Sequence, residues 1–276
     1  MGKVLTTNQI EQYHEEGFAS PIDVLTEVHA LEYATKLEEA EHKYPEALHA
    51  ENRNNAHLCF SFLDELAFHP TVLDAVEDLI GSHFALWGSV LFIKEPQSKH
   101  YVSWHQDATY MGIKPHNFVT PWIALSPSNQ HTGCMSMIPG SHLDAIQPHQ
   151  DTFSDDNILT RGQQVENVNG DSAIDLILAP GQMSLHHATI IHGSQPNLST
   201  HRRIGFALQA FMPAGAIQTI GDNYWQKARG NDNESSYQYL DRPHADMDAG
   251  NVTSRENVNQ NWANILYQGA SRKRAY

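Results

Sequence analysis

The spacing of apolar positions divides the chain into a helical start and a strand-rich remainder. Residues 7–16 carry an amphipathic pattern, with Thr6 and Gln9 placed as a capping box and Gly17 as a stop. Across residues 23–43, Val24, Leu25, Val28, Leu31, Ala34, Leu37 and Ala40 recur at helical spacing, with charges on the opposite face. Pro70 to Ile80 repeats that pattern and stops at Gly81. From Phe84 onward the character changes. Phe84 to Ile93, Val102 to His105, Val119 to Leu125, Met135 to Ile138, Met183 to Leu185, Thr189 to His192 and Ile204 to Phe211 all read as strands. Turn signals at Pro139-Gly140-Ser141, Pro180-Gly181, Gly193 and Pro196-Asn197 punctuate them. Many short strands between turns predict a mainly β fold with flanking helices, a double-sheet jelly roll or barrel.

Residues 146–172 are polar and hold few apolar positions, which marks a long insertion of the kind that borders a site. The stretch from Asn231 to Glu256 is polar too, with a last helical segment near Trp262 to Tyr267. No repeat, low-complexity tract or linker interrupts the sequence. One domain over residues 1–276 is therefore expected: a helical N-terminal third, a jelly-roll core at about 84–212 and an irregular or helical tail.

Charge and cysteine content narrow the function classes. With 32 acidic against 17 basic residues the net charge is −15, a field that repels nucleic acid and anionic membrane. An anionic small-molecule substrate would need a local basic pocket. No apolar run approaches the roughly 18 residues of a membrane span, and the N-terminus lacks the apolar core of a signal peptide. Gly2 and Thr6 match a myristoylation pattern, but the capping box accounts for Thr6. Cys59 and Cys134 form no disulfide framework, and both read as small buried apolar residues in a reducing, cytoplasmic protein.

The candidate chemistry lies in histidines. The pattern His-x-Asp occurs at His105/Asp107, His142/Asp144, His149/Asp151 and His244/Asp246. Only the first follows a strand-like run, Tyr101 to Trp104, where alternate residues point the same way and can aim both side chains into one cavity. The other three follow turns or prolines and read as surface histidines. A third ligand must come from a distant strand. His192 ends the run Thr189-Ile190-Ile191, whereas His186 and His187 read as packed or hydrogen-bonded neighbours of the site. Two histidines and one carboxylate occupy one face of iron(II) and leave the other face open for a cosubstrate and O₂. On the next strand Arg203, Gly205, Ala207 and Gln209 share a face. The Arg203 guanidinium can grip a carboxylate in a bidentate pair, with Gly205 and Ala207 leaving room, while Arg202 points away. The set suits an iron(II) oxygenase using 2-oxoglutarate. The rival from another class is a non-catalytic jelly-roll module that keeps its metal, and an intact Arg203 argues against it.

At these residues the chain resembles the phytanoyl-CoA dioxygenase family of iron(II)/2-oxoglutarate enzymes. The matching segments are Trp104 to Tyr110, Val119 to Leu125, Gly133-Cys134-Met135 with Ile138 to His142, and His192-Gly193-Ser194 through Pro196-Asn197 to Arg203. The resemblance implies a double-stranded β-helix core, with His105, Asp107 and His192 as iron ligands. It also implies Arg203 with Ser194 at the far carboxylate of 2-oxoglutarate, and Gln106 and Trp122 bordering that cosubstrate. Asp107 stands where related halogenases carry a small residue, which implies hydroxylation. Ser20-Pro21-Ile22, Phe92 to Glu95, Thr160 to Gln163, Ser184 to His187 and Ile265 to Ala270 are similar to bacterial 2-aminoethylphosphonate dioxygenases and their trimethylated-substrate relatives. That likeness implies hydroxylation at the carbon next to phosphorus. Lys94 and Arg161 are the candidate phosphonate anchors and Tyr110 the candidate contact for an amine or ammonium. The alternative is hydroxylation of another small metabolite or an acyl-CoA, the latter disfavoured by the lack of a basic surface for coenzyme A.

Overall fold

The computed structural model describes residues 2–230 and 238–273. The N-terminal part runs α1 (Thr7–Glu16), β1 (Phe18–Asp23), α2 (Glu27–Lys43), α3 (Pro45–Leu48), α4 (Ser61–Ala67) and α5 (Pro70–Ile80). Next come β2 (Phe84–Lys94), β3 (Val102–His105), α6 (Ala108–Met111), β4 (Ile113–Lys114), β5 (Val119–Ala124) and β6 (Met135–Met137). Then follow β7 (His149–Asp151), β8 (Gln163–Val165), β9 (Ile174–Asp175), β10 (Gln182–His187) and β11 (His192–Ser194). The chain ends with β12 (Arg203–Pro213), β13 (Ile217–Gln218), β14 (Tyr224–Arg229), β15 (Gln238–Tyr239) and α7 (Ala249–Leu266).

Among the described residues, a large sheet has the order β1-β10-β5-β12-β2-β14-β15 and a smaller one the order β3-β11-β6-β9. The two face each other around Trp122, Ala124 and Ala207 from the large sheet and Met135 and Met137 from the small one. This is the predicted jelly roll with flanking helices. Strand alternation decides what each face does. On β12, Ile204, Phe206 and Leu208 pack outward with Leu63, Leu66, Val72 and Val76 of α4 and α5. Arg203, Ala207 and Gln209 on the same strand face the cavity between the sheets.

The helices obey their local signals. Thr6 Oγ1 accepts from the Gln9 amide at 3.2 Å while the Gln9 side chain accepts from the Thr6 amide at 3.0 Å, a cap worth about 1 kcal/mol. α1 then stops at Gly17, whose φ of 88° suits glycine. α5 covers the predicted span, with Pro70 in its first turn.

Five stretches differ from the pattern. α2 starts at Glu27 rather than residue 23, because Thr26 caps it and the Val24 and Leu25 amides donate to Gly181 O instead. The residues before it form β1, which pairs with β10 at the sheet edge, where Pro21 is tolerated. Thr189 to Ile191 are not strand. They carry the chain from the large sheet to the small one, so His192 begins β11 instead of ending a strand. The insertion holds its own hairpin, β7 with β8. The polar tail also becomes helical: residues 231–237 lie outside the described residues, but α7 is far longer than the predicted segment. Its buried face includes Arg255, bonded to Asn54 O and Ala47 O, and Asn261, bonded to Asp222. Polar residues bonded inside hide the helix from a hydrophobic pattern.

α7 seats Trp262 against the large sheet, stacked on Trp87 with ring centroids 4.0 Å apart. Gly88 permits this, since a Cβ there would lie 2.3 Å from Trp262 Cζ2. Cys59 and Cys134 are free and buried. No described helix is long and apolar enough to cross a membrane.

Candidate active site

β3 and β11 are neighbours in the small sheet, and His105 stands directly opposite His192. Their rings lie 4.1 Å apart between centroids. Asp107 is not on the strand. β3 ends at His105, and Asp107 takes helical angles at the start of α6, which turns its carboxylate back between the sheets. Asp107 Oδ1 then lies 3.3 Å from His105 Nε2 and 3.8 Å from His192 Nε2. Ligand atoms of the three residues all fall within 4.8 Å of one another, and all three residues are buried.

The backbone fixes which nitrogen each imidazole offers. His105 Nδ1 lies 2.9 Å from Ser103 O and 3.0 Å from His192 O. His192 Nδ1 lies 3.1 Å from Ile190 O. Carbonyls only accept, so both Nδ1 atoms carry the proton and both Nε2 lone pairs point at the centre, as metal-binding histidines require. Burial and the neighbouring His105 hold His192 well below the usual histidine range, hence neutral. Burial alone would raise the Asp107 carboxyl, but His105, His186 and His192 outweigh it and keep it well below the carboxylate range. Two imidazoles offering Nε2 and one carboxylate are the donor set that suits non-haem iron(II).

Arg203 stands opposite Lys94 on β2 and is buried with its guanidinium 5.2 Å over the Trp122 ring. Its Nε has no hydrogen-bond partner. Burial lowers it to about 10, so it stays charged at neutral pH. A buried charged group with an unpartnered donor calls for an anion, and a carboxylate fits the guanidinium fork. Gly205 does not provide the expected room. A Cβ there would lie 1.8 Å from Trp122 Cζ2, so the space belongs to the Trp122 indole. Arg202 turns the other way and bonds Glu41 and Glu95. Ser194 Oγ accepts from Lys94 Nζ at 2.7 Å.

Lys94 and Arg161 are not where a substrate anchor must be. Neither lines the cavity, which has a volume of about 360 Å³ and contains the histidines, Asp107, Arg203, Trp122 and Tyr110. Lys94 Nζ is spent on Ser194 Oγ and on Gln195 O at 2.5 Å, and burial with the nearby Arg203 charge pushes it down to about 6. Arg161 pairs with Asp151 through Nε at 2.8 Å and through Nη2, and its Nη1 donates to Gln268 O at 3.1 Å. It lies 4.6 Å over the Tyr110 ring. Tyr110 also donates to Asp151 at 3.4 Å, and burial with that carboxylate raises its hydroxyl to about 12.

Gln106 borders the cavity with both ends engaged, donating to Thr189 O at 2.6 Å and accepting from the Gln147 amide at 2.8 Å. His149 is no surface histidine. Its Nε2 accepts from the Gln106 amide at 3.1 Å, beside Tyr110. His142 is partly buried against His14 O and the His187 ring, and His244 is exposed as expected.

Sequence reasoning missed the cavity-lining Thr120, Arg53, Trp87, Trp262 and Leu266, whereas Gln209 lines the cavity on the face expected for it. Thr120 shares a strand face with Trp122, so the period of two could have found it. Arg53 and Trp262 carry no local signal. His186 lies next to the site, as expected, and His187 bonds Thr189 Oγ1 at 2.8 Å.

Residues 4–205 match the family model described as "Phytanoyl-CoA dioxygenase (PhyH)". The chain is 30% identical over 178 residues to the "Probable alpha-ketoglutarate-dependent hypophosphite dioxygenase" of Stutzerimonas stutzeri, covering 61% of this chain and 60% of the relative. The solved structure titled "non-heme monooxygenase; ThoJ apo" superposes with a TM-score of 0.84 at 26% identity, covering 94% of this chain and 98% of that one. "CytC3 with Fe(II) and alpha-ketoglutarate" shares the fold, with a TM-score of 0.67 at 18% identity over 87% of this chain and 94% of that one. The chain spans between two fifths and three fifths of the length of the first curated relatives it matches.

Proposed function

Because this chain belongs to the phytanoyl-CoA dioxygenase family, we propose that it is an iron(II)- and 2-oxoglutarate-dependent oxygenase of a small molecule. His105, Asp107 and His192 are the iron ligands, and Arg203 holds the far carboxylate of 2-oxoglutarate. The observation that carries this reading is the convergence, in one cavity, of three buried metal donors and a buried guanidinium with an unpartnered Nε.

Iron(II) bound there supplies the chemistry that couples 2-oxoglutarate and O₂ to succinate, CO₂ and one oxygen atom inserted into a substrate bond. The protein's own groups orient the reactants. Arg203 pairs with the carboxylate in a dry setting where the charge pairing is strong. Lys94 holds Ser194 Oγ by donating to it, leaving the hydroxyl proton for the same carboxylate. The Trp122 indole, with the guanidinium carbon 5.2 Å from its ring centroid, supports the guanidinium from one side. Gln106 and His149 brace the turn that carries Asp107.

For the substrate, we propose a small phosphorus oxyanion, with hydroxylation of 2-aminoethylphosphonate or its N-trimethyl form at the carbon next to phosphorus as the specific reading. The named hypophosphite dioxygenase relative supports phosphorus chemistry more broadly than it supports this compound. Arg53 replaces Lys94 and Arg161 as anchor: it lines the cavity and has a buried, unpartnered Nε, with Glu41 and Glu95 3.5 and 3.6 Å from its Nη2. Tyr110 remains the candidate contact for the amine end. The test is mass spectrometry of mixtures of enzyme, iron(II), 2-oxoglutarate and O₂ with each phosphonate and with hypophosphite. A gain of one oxygen with a phosphonate supports the specific reading, and turnover of hypophosphite alone restricts it to the broader one. If a substrate without phosphorus is oxygenated while all three are untouched, the phosphorus reading is lost and the oxygenase remains.

A further inference from the structure

Two residues that face each other across neighbouring strands reach the ligand carboxylate from behind. Thr120 on β5 lies directly opposite His186 on β10, so their side chains stand on one face. Thr120 Oγ1 donates to Asp107 Oδ2 at 3.4 Å, and His186 Nε2 lies 3.5 Å from the same oxygen. The other oxygen, Oδ1, faces His105 and His192. The carboxylate is thus divided, one oxygen toward the metal donors and one toward the large sheet. Thr120 and His186 are 1% and 2% exposed. Neither ring nitrogen of His186 has a hydrogen-bond partner. A buried N–H is costly until it finds an acceptor, and Asp107 Oδ2 is the one that His186 Nε2 faces. His186 stands outside the convergent donor set.

We propose that Thr120 and His186 are positioning residues that hold Asp107 Oδ2 away from the metal, so that Asp107 binds through Oδ1 alone. This rests on the assignment of His105, Asp107 and His192 as ligands. A carboxylate free to swing could bind through both oxygens and take a coordination position that the cosubstrate or O₂ needs. Partners beyond the ligands commonly fix ligand orientation in this way.

Paired substitutions separate the polar role from packing. Thr120→Val keeps the shape and removes the hydroxyl, whereas Thr120→Ser keeps the hydroxyl. His186→Leu removes the ring nitrogens, whereas His186→Gln returns a donor at similar reach. Each metal-free full chain is titrated with cobalt(II), following its visible absorption, before and after addition of 2-oxoglutarate. Thr120→Val and His186→Leu are expected to weaken cobalt(II) binding about 10- to 100-fold and to shift the absorption band. Their spectra should also respond less to 2-oxoglutarate. Thr120→Ser and His186→Gln should bind within about threefold of the parent, well inside that range. Parent-like affinity and spectra in the Val and Leu variants overturn the proposal, as do Ser and Gln variants as weak as Val and Leu. Loss in His186→Leu as complete as in His105→Ala would make His186 a ligand and overturn it as well. If His186→Leu does not fold, the Thr120 pair decides, because Val and Thr differ by one polar atom. Unchanged cobalt(II) binding in His105→Ala would instead sink the ligand assignment itself.

Discussion

The two ends of the cavity are built from different material. At the proposed metal and cosubstrate end, His105, His192, Arg203, Thr120 and His186 all sit on paired strands. Asp107, with Gln106 before it, steps off the strand, and several residues hold it there. At the other end, the walls come from the insertion, from Tyr110 on α6 and from Trp262 and Leu266 on α7. These segments are tied to one another through side chains. Arg161 bonds Asp151 in the insertion and the Gln268 carbonyl after α7, and Tyr267 bonds Thr160 O. Paired strands fix side chains more tightly than loops do, whereas loops tolerate change. The contrast suggests a fixed reaction chemistry beside an adjustable choice of substrate.

The sharpest break of this contrast is at the metal end. His105→Ala, Asp107→Ala and His192→Ala are each expected to abolish turnover and cobalt(II) binding. Retained binding in any one of them removes that residue from the ligand set. Next in size is Arg203→Ala. Losing a charge-assisted hydrogen bond costs roughly 1.5–3 kcal/mol, or about 10- to 150-fold in the KM for 2-oxoglutarate. Arg202→Ala should leave that KM unchanged, and an equal effect would reverse the facing of β12. At the other end, Arg161→Met removes the tie between insertion and tail, lowering stability by about 1–3 kcal/mol. We expect a higher substrate KM with an unaltered KM for 2-oxoglutarate. A change in the cosubstrate KM alone would show that the two ends are not separable. The smallest expected effect is that of His149→Ala, about fivefold on turnover from one lost hydrogen bond of about 1 kcal/mol, measured against His244→Ala as an inert control.

The same contrast explains what the sequence could disclose. His105 and Arg203 lie on strands where alternation assigns their facing, whereas His192 was legible only from the apolar Ile190-Ile191 before it, which is not strand. The turn that brings Asp107 inward was not legible, since His-x-Asp looks the same on a strand and at its end. Lys94 was misread because its surroundings depend on the register that sets it opposite Arg203, and Arg161 because its partners lie in other segments. His149 looked like a surface residue after a proline, yet the insertion folds it back onto Gln106. The end of α7 was legible near Trp262, but its first part escaped because Arg255 and Asn261 occupy its buried face.

Gly88 and Trp262 lie 174 positions apart along the chain, yet the missing side chain of one helps to seat the other. Neither can drift alone in descent. A larger residue at 88 would need both Trp262 and Asn55 to give way, and reducing 262 first would leave a gap beside Trp87. Position 262 also lies beyond the matched family segment, whereas 88 lies within it. A Cβ at 88 would also lie 2.3 Å from Asn55 Oδ1, so glycine is expected there wherever either Asn55 or Trp262 is kept, and a single position in the middle of a strand answers to two distant segments at once.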